Sequence, residues 1–236
     1  LQSHDLIYKY KICEKEKIEI VPLGFDLIRF TEDKSLKREK LRKEFNVHDD
    51  TILITIIGRI VPVKNHQLFI DVINYCKYRS SRVIKALIVG DGSETEKIIN
   101  YLENNNLSYS YKDLNKECDV LFTSWRSDID CVLAASDIVC LTSLNEGTPV
   151  SIIESMASET ASISTNVGGV SDIIENNISG IVSTKKVNDY GEKLLQIIED
   201  DNLRLKLAKK GKSISLENYN YNKLVFNIES LYQRII

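Results

Sequence analysis

Two glutamates in the stretch "NEGTPVSIIESMA" (residues 145–157) have the residue type and spacing to bind a polar ligand. Glu146 precedes Thr148 and Pro149, which predict a helix start with Thr148 as its N-cap and Pro149 in its first turn. Glu154 follows inside the same helix, one turn after its beginning. Helical spacing therefore places the Glu154 carboxylate on the side of the first helical amides.

The first turn of that helix predicts an anion site. The amides of Val150 and Ser151 have no intrahelical acceptor, and with the helix dipole they suit a phosphate or diphosphate. Glu154 could accept both vicinal hydroxyls of a ribose, while Glu146 is placed to reach a group beyond the phosphates. This arrangement suits a nucleotide sugar. An isolated pair of acids at this spacing is more often two surface side chains, so the interpretation depends on the other loops.

Other loops offer cations and close backbone approach. In "GRIVPVK" Gly58 permits close approach, and Arg59 and Lys64 can balance the charge of a diphosphate, although such residues are commonly solvated. "GDG", which begins at Gly90, is also a plain turn sequence. The two glycines of "NVGGV" are read equally well as a backbone anion nest or as a tight turn.

A repeated strand–loop–helix pattern must position these loops. The predicted strands are the apolar runs in "TILITIIG", "VIKALIVG", "DVLFTS", "DIVCLTS", "TASIST" and "SGIVS". Continuous runs of β-branched residues are typical of strands that are buried on both faces. The pattern predicts an α/β fold with a Rossmann-like, doubly wound parallel sheet, which binds ligands beyond the carboxyl ends of its strands.

Helical periodicity follows each predicted strand. The predicted helices are "HQLFIDVINYCKY" and residues 93–104, 128–135, 149–157, 170–176, 187–200, 202–215 and 219–236. Near the start, residues 18–21 predict a short strand, and "KSLKREKLRKEF" predicts a solvated surface helix with Leu36, Leu41 and Phe45 roughly on one face. The polar stretch "NNNLSYSYKDLNKECDV" predicts a loop.

Composition excludes several classes of protein. With 31 basic and 34 acidic residues the net charge is -3, so no overall field attracts nucleic acid, and 43% hydrophobic residues suffice for a core. The scattered cysteines predict reduced core thiols of a cytosolic protein rather than a metal site; they are Cys13, Cys76, Cys118, Cys131 and Cys140. No apolar run approaches the roughly 20 residues that cross a bilayer, and the first residues do not resemble a signal peptide.

Taken together, "GRIVPVK", "GDG", "SDIDCVLAASDIVCLTSLNEGTPVSIIESMA" and "STNVGGVSDII" resemble the donor-binding half of retaining GT-B glycosyltransferases of family 4, the glycosyl transferases group 1. The resemblance runs from about Ile18 to the end of the chain. It implies an interdomain linker over residues 1–30, a nucleotide-sugar-binding Rossmann-like domain over 31–215 and a crossover helix over 216–236. Such enzymes have two halves, so we expect this chain to be a fragment of a longer enzyme.

The resemblance also implies roles for individual residues. Arg59 and Lys64 would bind the donor diphosphate and stabilise the leaving nucleoside diphosphate, and Glu146 would bind the donor sugar; these three are the implied catalytic residues. Trp125 and Arg126 match a loop near the base, uracil or guanine. The full implied donor-binding set is Gly58, Gly90, Trp125, Arg126, Gly147, Thr148, Pro149, Val150, Ser151 and Glu154.

The implied reaction is hexosyl transfer with retained configuration from a UDP- or GDP-linked sugar to a glycan, lipid or polysaccharide, without a cofactor or a divalent metal. The missing N-terminal half would bind the acceptor, and the location would be cytoplasmic. None of His4, His48 and His66 matches the family's catalytic-site histidine, and His66 is interpreted as a capping or packing residue. Peripheral contact with the inner face of a membrane stays open, because the basic patches 37–43 and 209–212 could touch one, although the acids that alternate with them favour a solvent-facing surface.

Two other classes of function stay open. A non-catalytic module could bind a nucleotide sugar, although the presence of Arg59, Lys64, Glu146 and Glu154 together argues against it. A sugar-nucleotide epimerase or a phosphorylase could use the same fold. An epimerase would need further acids and histidines in the cleft, and a phosphorylase would need a pyridoxal-bearing lysine motif, which the sequence does not show.

Overall fold

The centre of the molecule is a parallel β-sheet. The strands are β1 (Ile52–Ile57), β2 (Ile84–Val89), β3 (Tyr109–Tyr111), β4 (Val120–Ser124), β5 (Ile138–Leu141), β6 (Ala161–Thr165) and β7 (Ile181–Ser183). The computed structural model describes residues 5–12 and 14–235, and across them the strand order is β3-β4-β2-β1-β5-β6-β7, with all neighbouring strands parallel. The order reverses beside β1, which confirms the predicted doubly wound α/β fold.

Helices connect the strands and cover both faces of the sheet. They are α1 (Lys34–Glu44), α2 (His66–Lys77), α3 (Thr95–Asn104), α4 (Ile129–Ala135), α5 (Val150–Ala157), α6 (Val187–Glu199), α7 (Asp201–Asn218) and α8 (Tyr221–Ile235). Short 3₁₀ turns occur at Ile28–Phe30, Pro62–Lys64 and Gly168–Asp172. Each predicted strand in the repeated pattern is present, because its apolar run is long enough to be buried on both sides.

Alternate residues of each strand enter different cores. Ile52, Ile54 and Ile56 of β1 pack in the largest cluster, which includes α2, α3, α6 and part of α7. Leu53 points to the opposite face and packs with Leu41 of α1 and with α4. Successive side chains of a strand point to opposite faces, so a strand covered by helices on both sides must be apolar throughout.

Two predicted elements are wrong. Residues 18–21 form no strand; Ile20 is 69% exposed, so this apolar run has no sheet to join. Residues 170–176 form no α-helix, and the segment instead contains the 3₁₀ turn Gly168–Asp172. Its apolar side chains Val170, Ile173 and Ile174 are buried, so the helix-like spacing reflects core packing of a short connection.

The predictions for two charged or polar segments also need correction. α1 is not simply a solvated helix, because Leu41 and Phe45 are buried at 1% and 0% exposure, although Leu36 is 67% exposed. The stretch predicted as a loop contains β3, which pairs with β4 at the edge of the sheet. Three alternating polar and aromatic residues are too short a signal for a strand, and pairing with β4 supplies the missing stabilisation.

Contacts cross the predicted domain boundaries at both ends of the chain. Leu27 and Phe30, which precede the predicted boundary at 30/31, belong to the core beside α5. The boundary at 215/216 falls inside α7, which continues to Asn218. Phe25 N–H donates to Tyr219 O at 2.8 Å, so the predicted linker runs beside the start of α8.

The cysteines in the described part of the chain are free thiols. Cys76 and Cys140 are buried, and Cys118 and Cys131 are half-buried. Cys13 and His4 lie outside the described residues. Among the helices of residues 5–12 and 14–235, none combines the length and the apolar character needed to cross a membrane.

A buried ion pair attaches α1 to the sheet. Arg42 is 3% exposed, and its guanidinium donates to Asp137 Oδ2 at 3.1 Å and to Thr51 O at 2.6 Å. Asp137 Oδ2 also accepts the Leu53 N–H at 2.8 Å, while Oδ1 accepts from Arg38 at 2.7 Å. Because Asp137 is the carboxylate shared by all these donors, its removal leaves a buried cation without its charge partner.

Asp137→Ala is expected to lower the free energy of unfolding by about 3–5 kcal/mol, because Arg42 stays buried without a counter-charge. The measurement is a urea titration followed by circular dichroism. Asp113→Ala is the matched control, since Asp113 is exposed, and it should change the value by less than about 0.5 kcal/mol. Equal stability of the two variants would contradict the role of Asp137.

Candidate functional site

Backbone hydrogen bonds join the loops that follow β1 and β5. Leu144 N–H donates to Val63 O at 2.7 Å. The buried hydroxyl of Thr142 donates to Lys64 O at 3.0 Å. These bonds fix the loop that carries the predicted cations beside the loop that carries Glu146, as expected for two loops at the carboxyl ends of neighbouring parallel strands.

Lys64 and Glu146 meet in a direct ion pair. Lys64 Nζ donates to Glu146 Oε1 at 2.6 Å, and the two side chains are 24% and 10% exposed. Ser143 Oγ donates to the same oxygen at 2.5 Å. Within the described residues Oε2 receives no hydrogen bond, so it remains an acceptor for a ligand hydroxyl. Lys64 likewise keeps further ammonium protons for an anion.

The glycine pair after β6 packs under the Glu146 loop. Gly168 has φ +51°, and a Cβ there would lie 1.7 Å from Glu146 O. A Cβ on Gly169 would lie 2.3 Å from Gly147 O, and Gly169 N–H donates to Glu146 O at 3.3 Å. Since the Gly169 amide already has a partner in the protein, the structure favours a tight packing turn over an anion nest.

Gly58 and Gly90 bring the ends of β1 and β2 together. Gly90 has φ +138°, and a Cβ there would lie 2.1 Å from Gly58 O. A Cβ on Gly58 would approach Lys64 Cε at 3.5 Å, so the Lys64 side chain passes directly over Gly58. The close backbone approach predicted at these glycines is therefore between two loops of the protein. It fixes the position of the loop that carries Arg59 and Lys64.

The helix tip differs in detail from the prediction. α5 begins at Val150 with Pro149 as its N-cap, and no side chain caps it; Thr148 is exposed and is not the cap. Ile152 N–H and Ile153 N–H both point to Pro149 O, at 3.1 and 3.3 Å. The N–H groups of Val150 and Ser151 come earlier in the chain and have no acceptor within the helix, as expected at a helix start. Both residues are at least partly exposed, so an anion can reach them.

Glu154 lies one turn further along α5. Its side chain is 20% exposed, and Arg29 Nη2 is 3.9 Å from Oε1. Burial raises the pKa of Glu154, and the Arg29 charge opposes that effect. The carboxylate is therefore partly dehydrated but has a cation that favours its ionised form, which is the form that accepts two hydroxyl hydrogen bonds.

The remaining predicted residues are in three different environments. Arg59 is exposed and makes no side-chain hydrogen bond or ion pair within the described residues, so it is free to reach an anion. Trp125 is 62% exposed at the carboxyl end of β4. Arg126 is only 15% exposed; it donates to Asp128 and Glu44 at 2.7 Å, so its guanidinium holds α1 to the β4–α4 loop.

His66 is the first residue of α2 and is 2% exposed. Neither ring nitrogen has a hydrogen-bond partner in the described part of the chain. Burial, reinforced by the Lys64 charge, lowers the pKa of His66 to about 4. The ring is therefore neutral near pH 7 and belongs to the packing under the Lys64 loop, as interpreted from the sequence.

Sequence reasoning missed three residues that shape this edge. Ser143 could have been found, because it lies three residues before Glu146 in the same loop. Arg29 gave no signal, because it is 125 positions from Glu154 in the sequence. Asp91 was noticed only as part of a turn, yet its carboxylate accepts hydrogen bonds from Thr95, Ser124 and Tyr111.

Known proteins resemble this chain in sequence and in fold. The sequence profile described as "Glycosyl transferases group 1" matches residues 37–214. The chain is similar to the Escherichia coli UDP-Gal:alpha-D-GlcNAc-diphosphoundecaprenol alpha-1,3-galactosyltransferase, with 28% identity over 234 residues, covering 94% of this chain and 57% of that protein. It is also similar to the Staphylococcus aureus poly(ribitol-phosphate) alpha-N-acetylglucosaminyltransferase, with 27% identity over 217 residues, covering 91% of this chain and 41% of that protein.

The chain spans about half the length of the curated relatives it matches. A solved structure of Anabaena HepE in complex with UDP and glucose superposes with a TM-score of 0.84 and 19% identity, covering 99% of this chain and 61% of that one. At this identity the likeness shows a shared fold.

Gly168→Ala is expected to lower the free energy of unfolding by at least about 1–2 kcal/mol, because alanine is strained at positive φ and its Cβ would collide with Glu146 O. Gly147→Ala is the matched control: a Cβ there has nothing within 4 Å, so stability should stay equal or rise by less than about 1 kcal/mol. Urea titrations measure both. A Gly168→Ala variant as stable as the control would disprove the packing role.

His66 should make the protein less stable as the pH falls. Its folded pKa of about 4 lies below the unfolded value of 6.5, so protons bind the unfolded chain more readily. The free energy of unfolding has its full value above pH 6.5 and falls by about 3 kcal/mol as the pH decreases to 4. Unfolding titrations of wild type and His66→Leu across this range isolate the effect. His48→Leu, at an exposed position, is the control; parallel pH profiles for wild type and His66→Leu would refute the prediction.

Proposed function

The chain belongs to the glycosyl transferases group 1 family, and from that premise we propose that it is the nucleotide-sugar-binding half of a retaining glycosyltransferase. The observation that carries the proposal is the Lys64–Glu146 ion pair at the carboxyl edge of the sheet, which joins the loop after β1 to the loop that leads into the open tip of α5. This edge of the sheet thus brings together a cation, the free amides of a helix start and two carboxylates, which are the groups that a diphosphate, a sugar and a ribose require.

The diphosphate of the donor binds at the tip of α5. The amides of Val150 and Ser151 donate hydrogen bonds to its phosphate oxygens, and the positive end of the helix dipole favours their negative charge. Lys64 and the exposed Arg59 neutralise the charge that grows on the leaving nucleoside diphosphate as the glycosidic bond breaks. Because these cations can supply the counter-charge, we propose that transfer needs no divalent metal.

The hydroxyl groups of the donor bind to the two glutamates. Glu146 Oε1 is held by Lys64 and Ser143, which leaves Oε2 directed to its own ligand, a hydroxyl of the transferred sugar. Glu154, one turn deeper, accepts the two ribose hydroxyls while Arg29 favours its ionised form. Fixed acceptors of this kind orient the anomeric carbon for attack.

The names of the relatives support a UDP-linked donor and an extended or lipid-linked acceptor. The Escherichia coli protein is named as a UDP-galactose-dependent enzyme acting on a diphosphoundecaprenol-linked sugar, and the Staphylococcus aureus protein as one acting on poly(ribitol-phosphate). We propose that acceptor binding involves a part of the protein beyond the present 236 residues. A lipid-linked acceptor would bring the reaction to a membrane surface.

Glu154→Gln is expected to weaken UDP binding about 10- to 150-fold, because the amide is a poorer acceptor for the ribose hydroxyls than the carboxylate. Calorimetric titration of the chain with UDP, GDP and their sugars measures this. UDP affinity should be the same with EDTA and with magnesium. Glu217→Gln, at an exposed position of α7, is the matched control and should bind like wild type.

Two results would overturn the proposal. The first is the absence of saturable binding of any nucleoside diphosphate or nucleotide sugar by the folded chain. The second is equal UDP affinity of Glu154→Gln and Glu217→Gln. In the full-length protein the Glu154→Gln variant should raise KM for the donor more than it lowers kcat, because the ribose is remote from the reacting bond.

A further inference from the structure

The carboxylate of Glu154 lies beside a cation from a segment outside the repeated strand–loop–helix pattern. Its Oε1 is 3.9 Å from Nη2 of Arg29, which belongs to the 3₁₀ turn Ile28–Phe30 (the linker turn). The two side chains are 50% exposed for Arg29 and 20% for Glu154, so water surrounds the cation more than the carboxylate. Among the polar side chains placed at the candidate site in the described residues, Glu154 is the one in an ion pair with the linker turn.

Several contacts hold the linker turn in place. Leu27 and Phe30 are buried beside α5. Lys37 Nζ of α1 donates to Arg29 O at 2.5 Å, and the same ammonium is 3.0 Å from Asp130 Oδ2 of α4. The Arg29 guanidinium also lies over the Phe30 ring, 4.7 Å from its centroid. The backbone of Arg29 is therefore held by α1, and its side chain by a buried neighbour.

The residues before the linker turn are joined to the start of α8. Phe25 N–H donates to Tyr219 O at 2.8 Å, and Tyr221 N–H donates to Phe25 O at 3.0 Å. A Cβ on Gly24 would lie 2.6 Å from Leu224 Cβ, so a glycine is needed where the two segments cross. The linker turn and the start of α8 therefore form one connected unit beside α5.

Arg29 is the charge that acts on Glu154. Burial raises the pKa of Glu154, and Arg29 opposes this effect. Of the elements packed against α5, β5 and β6 carry no charged residue, and Asp130 of α4 is paired with a lysine of α1. Lys212 of α7 is 2.9 Å from Glu159, its own partner. Removing Arg29 therefore leaves Glu154 partly buried without a counter-charge, which favours its neutral form.

Ribose binding and the Arg29 contact favour the same state of Glu154. An ionised carboxylate uses both oxygens as acceptors, whereas a protonated one carries an O–H that competes with a ligand hydroxyl. Arg29 favours the ionised form and, by its position at Oε1, restricts the orientation of the carboxylate, so it favours ribose binding. Ribose binding must then favour the Arg29 contact by the same factor. Because a partly exposed ion pair contributes little, that factor is about 2- to 5-fold.

We propose that Arg29 is a positioning residue that couples ribose binding at Glu154 to the linker turn, so that a bound nucleoside diphosphate and the linker turn stabilise each other. This rests on the proposed function, because the ribose must bind at Glu154. The groups that hold the diphosphate are Lys64 and the first amides of α5, which have no hydrogen bond or ion pair with the linker turn in the described part of the chain. A ligand without a ribose therefore does not engage the coupling.

Hydrogen exchange of the wild-type chain tests the coupling without a substitution. The amides of Phe30 and Thr31 donate to Leu27 O and Ile28 O in the linker turn. Saturating UDP should slow the exchange of these two amides about 2- to 5-fold, the factor that Arg29 contributes to UDP affinity, because the coupling is reciprocal. Saturating pyrophosphate, which has no ribose, should leave both rates unchanged. Equal effects of UDP and pyrophosphate on these amides, including no effect of either, would overturn the proposal.

Arg29→Leu should weaken UDP binding about 2- to 5-fold near neutral pH, measured by calorimetry, and leave pyrophosphate binding equal to wild type. The pH profile separates this role from a structural one. UDP affinity is lost as the pH falls through the pKa of Glu154, and that pKa rises when Arg29 is removed. The decline should therefore begin at a higher pH in Arg29→Leu, whereas Arg29→Lys, which keeps the charge, should lie close to wild type.

Arg79→Leu is the matched control. Arg79 follows the end of α2 and lies over the ring of Tyr75 at 3.9 Å, as Arg29 lies over an aromatic ring, so its loss should change neither UDP affinity nor the pH profile. If UDP binds and Glu154→Gln weakens it while Arg29→Leu matches Arg79→Leu in both measurements, the coupling is excluded and the proposed function stands. If the wild-type chain binds no nucleotide, both fall together.

Discussion

The contact between Lys64 and Glu146 is the interaction around which the candidate site is arranged. It joins the loop after β1 to the loop after β5, and it keeps a cation and a carboxylate 2.6 Å apart at 24% and 10% exposure. An ion pair as buried as this one contributes little net stability, because dehydration of both charges offsets their attraction. The ion pair instead fixes the orientation of both side chains. The free N–H groups of Lys64 and the free oxygen of Glu146 therefore point in defined directions.

That geometry depends on backbone contacts that only glycine permits. Gly168 allows Glu146 O to lie where a Cβ would be, and Gly90 does the same for Gly58 O. Both glycines are at positive φ, so any other residue would add strain as well as a collision. The loops at the carboxyl edge are therefore as closely packed as the core beneath them, although they lie at the surface and carry the polar groups.

The fold could be predicted from the sequence because strands that are buried on both faces are mostly apolar: β5 is apolar throughout, and β1 and β2 are apolar except for Thr55 and Lys85. Lys64 and Glu146 could be selected as candidates because their loops follow strand ends, and Glu154 because it lies one turn into the next helix. β3 could not be predicted, since three residues give no periodicity and the strand depends on pairing with β4. The Arg29–Glu154 contact could not be predicted either, because nothing in one segment specifies a partner 125 positions away.

The two ends of this edge are held by different means. At the tip of α5, charge fixes the groups: Lys64 holds Glu146, and Arg29 lies beside Glu154. At β4, hydrogen bonds to Asp91 fix the turn that presents Trp125, and one of them comes from Tyr111 of β3. The stretch that contains β3, which the sequence predicts as a loop, therefore supports the turn before Trp125. Both ends of this edge therefore depend on contacts between separate strand ends.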